Sequence, residues 1–70
     1  AEDYETAERS AVRRALLDPE DHRPWLDVAA AREKQGALTG AIDALARARA
    51  VSGEAAPVPE VAFERLRMRL

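Results

Sequence analysis

Alanine is the feature of this sequence that most restricts its fold. Of the 33 apolar residues in the 70-residue chain, 16 are alanine, so only 17 larger apolar side chains are available to fill a core. Alanine is the strongest helix former, and its small side chain lets two helix axes approach closely. No stretch alternates apolar and polar residues with the period of two expected of a strand. The sequence therefore predicts an all-α fold of closely packed helices around a thin core.

Prolines and glycines divide the chain into four segments. The breaks fall at Asp18-Pro19, Pro24, Gly36, Ser52-Gly53 and Pro57-Val58-Pro59. Apolar residues recur at the i, i+3, i+4 spacing of an amphipathic helix over about 3–17, 21–35, 38–51 and 59–70. We therefore predict four helices in a single small domain, residues 1–70.

Local signals mark the ends of the second helix. Asp21 is a candidate N-cap, and Pro24 falls in the first turn, where proline is tolerated. Gly36 is expected to adopt the left-handed conformation that commonly ends a helix. Because only Gly36 and Ala37 separate the second helix from the third, these two helices should fold back as an antiparallel hairpin.

Composition and charge exclude several classes of protein. The chain has no cysteine and a single histidine, His22, so neither a disulfide nor a structural zinc site is expected. Its serines and threonines have no base at a recognisable spacing, and we predict a non-enzymatic protein without a cofactor. A net charge of −2 argues against nucleic-acid binding. The run of about 20 apolar residues that membrane insertion requires is absent.

The second and third segments carry a repeat-like pattern. It reads Trp25-x2-Val28-Ala29-x2-Arg32, followed by Ala41-x3-Leu45-x2-Ala48. This pattern resembles the tetratricopeptide repeat, W-x2-L-G-x2-Y followed by A-x3-F, with an arginine in place of the second aromatic residue. Small residues at the helix contact and larger ones around it would form the repeat core. The residues expected in that core are Trp25, Val28, Ala29, Leu38, Ala41, Leu45 and Ala48.

The resemblance implies an organisation for the whole chain. Residues 22–53 would form one complete repeat. Ala7 and Ala11 align with Ala41 and Leu45 at an offset of 34, so residues 1–18 resemble the second helix of a preceding repeat. Residues 59–70 would be a capping helix or the first helix of a next repeat. The expected architecture is thus an α-α superhelix fragment of about four helices.

The resemblance also implies a function. In such repeats the first helix of each pair lines a groove that binds a peptide or helix of a partner protein. The chain would then be a non-catalytic scaffold that binds a partner or itself. The positions expected to face that groove are Arg23, Leu26, Asp27, Ala30, Glu33 and Lys34.

Two alternatives remain open from the sequence. One is an alanine-rich four-helix bundle whose pattern matches the repeat by chance. The other is a small helical DNA-binding or regulatory domain.

The outer segments also suggest self-association. A helical repeat unit cannot bury both its faces alone. The first and last segments carry six large apolar residues, more than two freely exposed ends should have: Tyr4, Val12, Leu16, Phe63, Leu66 and Leu70.

Overall fold

Four α-helices make up the fold. The computed structural model describes residues 3–53 and 59–70. The helices are α1 (Tyr4–Leu17), α2 (Arg23–Lys34), α3 (Leu38–Ser52) and α4 (Glu60–Arg67). No strand occurs in the described residues, so the predicted all-α class is confirmed. None of these helices is long and apolar enough to cross a membrane.

Helix α1 begins and ends as its sequence indicates. The Asp3 carboxylate accepts a hydrogen bond from the Thr6 backbone N–H at 3.1 Å and a second one from the Thr6 hydroxyl. This contact caps the first turn and lowers the pKa of Asp3. The helix stops at Leu17, because Pro19 disfavours helical geometry at Asp18.

The predicted N-cap of α2 is wrong by one position. The N-cap residue is His22, which makes no side-chain capping hydrogen bond, and Pro24 lies in the first turn as expected. Asp21 lies one residue earlier and accepts hydrogen bonds from both the backbone N–H and the guanidinium of Arg23. The Asp21 side chain therefore still supplies an acceptor to the start of α2, but as a bridge to Arg23 rather than as the cap.

Both glycines predicted to end helices do so. Gly36 has a φ of +81° and Gly53 a φ of +56°, in the left-handed region that other residues rarely adopt. Gly36 turns the chain between α2 and α3 within three residues. Helix α4 is shorter than the predicted 59–70, since it ends at Arg67. The predicted break at Pro57-Val58 lies outside the described residues.

Small side chains form most of the core. Each helix packs on the next along the chain, α1 on α2, α2 on α3 and α3 on α4. The alanines that are fully buried where these helices meet are Ala11, Ala41, Ala44 and Ala48. Alanine at these positions lets the helix axes come close, as the composition predicted.

Two residues of α4 supply the largest buried side chains. Phe63 and Leu66 are each only 1% exposed and belong to the same core cluster as Val28. The Arg49 guanidinium of α3 lies 4.4 Å from the centroid of the Phe63 ring. It also forms an ion pair with Glu60 at 3.2 Å, so Arg49 links α3 to α4 through two polar contacts. The expectation that Phe63 and Leu66 add to an exposed apolar end is therefore wrong, because both are buried in the core cluster and α4 packs on α3.

We predict that enlarging the alanine contact destabilises the fold. Ala29→Leu and Ala41→Leu should each lower the free energy of unfolding by about 1–3 kcal/mol, because buried alanines have no room for added methylenes. Ala30→Leu is the matched control, since Ala30 is exposed on the same helix. Urea denaturation measures all three variants. Equal stability of all three would show that the alanines are not contact points.

Candidate protein-binding surface

The six positions expected to line a groove lie along α2 between α1 and α4. Two of them, Leu26 and Glu33, are half-buried. The other four are exposed: Arg23, Asp27, Ala30 and Lys34. We call these six residues, Arg23, Leu26, Asp27, Ala30, Glu33 and Lys34, the α2 surface.

A shallow apolar groove of about 260 Å³ separates the α2 surface from the first turns of α1. Its α1 wall is formed by Tyr4 and Ala7, and its α2 wall by Ala30 and Ala31. Asp27 and Lys34 lie at its margins. The groove is open because the side chains facing each other across it are mostly alanines.

A smaller groove of about 110 Å³ lies on the α4 side of the same surface. Leu26 and Ala30 of α2 line it together with Leu66 of α4. Arg65 and Glu33 close its rim, since the two side chains form an ion pair at 3.0 Å. Ala30 thus lines both grooves and forms a low ridge between them.

The charges of the α2 surface are largely compensated within the chain. Asp27 pairs with Arg14 of α1 at 2.8 Å. Glu33 pairs with Arg65 at 3.0 Å and with Arg69 at 2.7 Å. Arg23 pairs with Asp21 at 2.9 Å. Lys34 makes no ion pair with any described residue, so its positive charge is uncompensated.

The residues expected in the repeat core divide into two groups. Val28, Ala29, Ala41, Leu45 and Ala48 are buried. Trp25 and Leu38 are half-buried and pack against that cluster. The Trp25 ring also carries the Arg47 guanidinium at 5.3 Å from its centroid. The Trp25 side chain therefore contacts the core on one side and a surface arginine on the other.

Arg32 organises a polar junction that has no signal in the helical spacing of the sequence. Its guanidinium donates a hydrogen bond to Glu8 of α1 at 3.0 Å and another to the Gly40 carbonyl of α3 at 3.0 Å. It also lies 3.9 Å from Asp43, and its side chain is only 24% exposed. Arg32 therefore joins three helices at the position where the resembled repeat has an aromatic residue. Gly40 is the sequence signal for this contact, because a Cβ there would lie 3.2 Å from the Arg32 side chain.

Two further depressions lie beside the helices, and the larger of them also reaches Arg23 and Asp27 of the α2 surface. The larger, about 570 Å³, lies at the turn between α1 and α2 and is lined by ion-paired side chains such as Arg14 and Asp21. Arg23 holds the pKa of Asp21 at about 2 by hydrogen bonding and charge. The other, about 290 Å³, is an apolar groove formed mainly by Leu16 of α1, Trp25 of α2 and Val51 of α3. Neither was predicted, because both depend on how α1 lies on its neighbours.

Among the described residues, no group of three or more His, Cys, Asp or Glu side chains is placed to hold a metal ion. His22 is half-buried at the start of α2.

Comparison with known proteins adds no relative. No protein-family model matches the sequence, and no curated protein or solved structure is significantly similar to it.

We predict that Arg32 stabilises the junction of α1, α2 and α3. Arg32→Met keeps the aliphatic stem but leaves Glu8 and the Gly40 carbonyl without this donor. The free energy of unfolding should fall by about 1–2 kcal/mol. Arg13→Met is the control, since Arg13 is exposed and makes no ion pair with a described residue. Denaturation at low protein concentration should show little change for the control. An equal decrease in the free energy of unfolding of both variants would contradict a stabilising role of the Arg32 hydrogen bonds.

We also predict a pH dependence from Glu8. Hydrogen bonds from Gln35 and Arg32 lower the pKa of Glu8 below its usual 4.5. Because folding lowers this pKa, the ionised carboxylate stabilises the fold at neutral pH, and that contribution is lost as the pH falls below 4.5. Glu8→Gln should therefore be less stable than the unmodified chain at pH 7 and approach the stability of that chain at about pH 3.

Chemical denaturation at the two pH values measures this difference. Glu20→Gln serves as the control, since Glu20 is exposed and makes no ion pair with a described residue. A gap between Glu8→Gln and the unmodified chain that stays constant with pH would contradict the prediction.

Proposed function

We propose that this chain is a non-catalytic protein-interaction unit, similar to a tetratricopeptide repeat, that binds a peptide or helix of another protein on the α2 surface. The observation that carries the proposal is the position of Ala30. This exposed alanine separates two shallow apolar grooves, one toward α1 and one toward α4. A low ridge between two grooves suits a partner segment that places apolar side chains on both sides of it.

The helix order supports the repeat-like interpretation. Helices α2 and α3 form a hairpin with only residues 35–37 between them, and each flanking helix packs on a member of that pair. In this proposal, 22–53 is the complete repeat, 1–18 the second helix of a preceding one, and 59–70 a capping or next-repeat helix. α2 then takes the place of the groove-lining first helix.

The charges indicate the chemistry of the partner. Since Asp27 and Glu33 already pair within the chain, they offer little net charge to a ligand. Lys34 lies beside the α1 groove with its charge uncompensated. We therefore infer that the partner segment is mainly apolar and carries a carboxylate close to Lys34.

A small DNA-binding or regulatory domain has less support. Eight of the eleven Lys and Arg residues pair with carboxylates of the chain itself. Phosphate binding would have to compete with those pairs. DNA binding that weakens steeply with salt would favour this alternative, because phosphate contacts release counterions.

The experiment for the proposed function uses selected peptides and one matched pair of variants. Twelve-residue peptides selected from a random displayed library are titrated into the isotope-labelled chain, and amide shifts are followed by NMR. We expect the largest shifts at Leu26, Ala30 and Lys34. Ala30→Arg should weaken binding at least about tenfold, since it places a long charged side chain on the ridge.

The control is Ala50→Arg. It makes the same substitution at an exposed alanine of α3 that lines the 290 Å³ groove beside Trp25. It should leave the affinity unchanged. The proposal fails if no peptide is selected, or if Ala30→Arg and Ala50→Arg have equal effects.

A further inference from the structure

Exposed apolar side chains collect on the two outermost helices. Among the described residues, the large hydrophobic side chains that are exposed lie at the end of α1 and on or just beyond α4: Leu16, Leu17, Val61, Met68 and Leu70. Neither α2 nor α3 has one. α1 packs mainly on α2, and α4 mainly on α3, so each outer helix has one side open.

The open side of α1 is basic with an apolar end. Arg9 and Arg13 lie two residues on either side of the buried Ala11, and Leu17 lies two residues after the buried Ala15. Two residues correspond to about 200° around a helix, so these three lie opposite the packed face. We call Arg9, Arg13 and Leu17 the α1 outer stripe. Neither arginine makes an ion pair with a described residue.

The open side of α4 carries apolar residues, one acid and one base. The base is Arg65, two residues after the buried Phe63, and its charge is paired with Glu33 of α2 at 3.0 Å. Val61 lies two residues before the buried Phe63, and Glu64 and Met68 lie two residues on either side of the buried Leu66. We call Val61, Glu64 and Met68 the α4 outer stripe. Met68 is 87% exposed, and Glu64 makes no ion pair with a described residue.

We propose that copies of this chain associate head to tail, with the α4 outer stripe of one copy packed on the α1 outer stripe of the next. Glu64 then meets Arg9 and Arg13, whose aliphatic stems cover Val61 and Met68. Association removes exposed apolar area from both helices and pairs charges that no described residue of the same copy pairs.

The signs of the charges select this arrangement over a two-fold dimer. Pairing two α1 outer stripes would bring arginines against arginines, and pairing two α4 outer stripes would bring Glu64 against its own copy. Only the unlike pairing is attractive. Because it joins two different surfaces, each copy of a dimer keeps one free stripe. The contact therefore continues beyond two copies, as a ring where the rotation closes and as an open chain where it does not.

The contact is small, and its affinity should be modest. Stable interfaces bury about 1,200–2,000 Å², more than the eight-residue helix α4 offers. The exposed ion pairs give orientation more than affinity. The average mass should therefore rise steadily over about 20 μM to 1 mM, a range of weak affinities. The contact does not use the α2 surface, so it stands or falls independently of the proposed function.

Two variants that each disable one stripe test the arrangement. Arg9→Glu/Arg13→Glu reverses the charge of the α1 outer stripe, and Glu64→Gln/Met68→Ser removes the acid and one apolar side chain from the α4 outer stripe. Sedimentation equilibrium should show that association of each variant alone is at least about tenfold weaker than that of the unmodified chain. A one-to-one mixture still contains one intact stripe of each kind. It should form dimers and nothing larger.

Circular dichroism checks that both variants keep their helices, which is expected because the substituted residues are exposed. If Glu64→Gln/Met68→Ser loses helicity, Val61→Ser/Glu64→Gln replaces it. Lys34→Glu on the α2 surface is the control and should associate as the unmodified chain does. Head-to-tail association is excluded if the unmodified chain stays monomeric up to about 1 mM, if either variant alone associates like it, or if the mixture stays monomeric.

Discussion

The close contact of α2 with its neighbours through alanine is the constraint on which the rest of the structure depends. Ala29 of α2 and the fully buried Ala41, Ala44 and Ala48 of α3 leave little space between the helices. Such contacts gain dispersion energy from tight packing, but each alanine removes little apolar area from water. The hairpin therefore needs larger side chains from the flanking helices to complete a core.

Helix α4 supplies the largest of these side chains. Phe63 and Leu66 are each almost fully buried, and burial of a side chain of that size contributes about 1.5–3 kcal/mol. The opposite edge of the hairpin is held differently, by Arg32 and its hydrogen bonds to Glu8 and the Gly40 carbonyl. One outer helix is thus attached mainly by apolar burial, and the other by alanine packing reinforced with a polar junction.

The helix boundaries could be predicted from the sequence, but the contacts that attach the two outer helices could not. Pro24, Gly36 and Gly53 act through their own backbone conformations, so the helix boundaries they set could be read locally. Burial of Phe63 depends on where α4 lies after a turn that its own residues do not determine. Arg32 looks like any surface arginine until Glu8, 24 positions earlier in the chain, is brought beside it. On the α2 surface, the helical spacing placed Ala30 in the open, but the pairing of Glu33 with two arginines of the last segment had no local signal.

Alanine has opposite consequences on the two sides of α2. On the buried side, Ala29 lets α2 pack closely, and on the exposed side Ala30 leaves a ridge too low to fill the space between α1 and α4. The grooves beside that ridge therefore arise from the same residue type as the core. Filling them with larger side chains would cover the surface we propose for a partner, and enlarging the buried alanines would separate the helices. A helix built this way is stable only because its neighbours complete the core, and it can receive a ligand only where they leave its outer face uncovered.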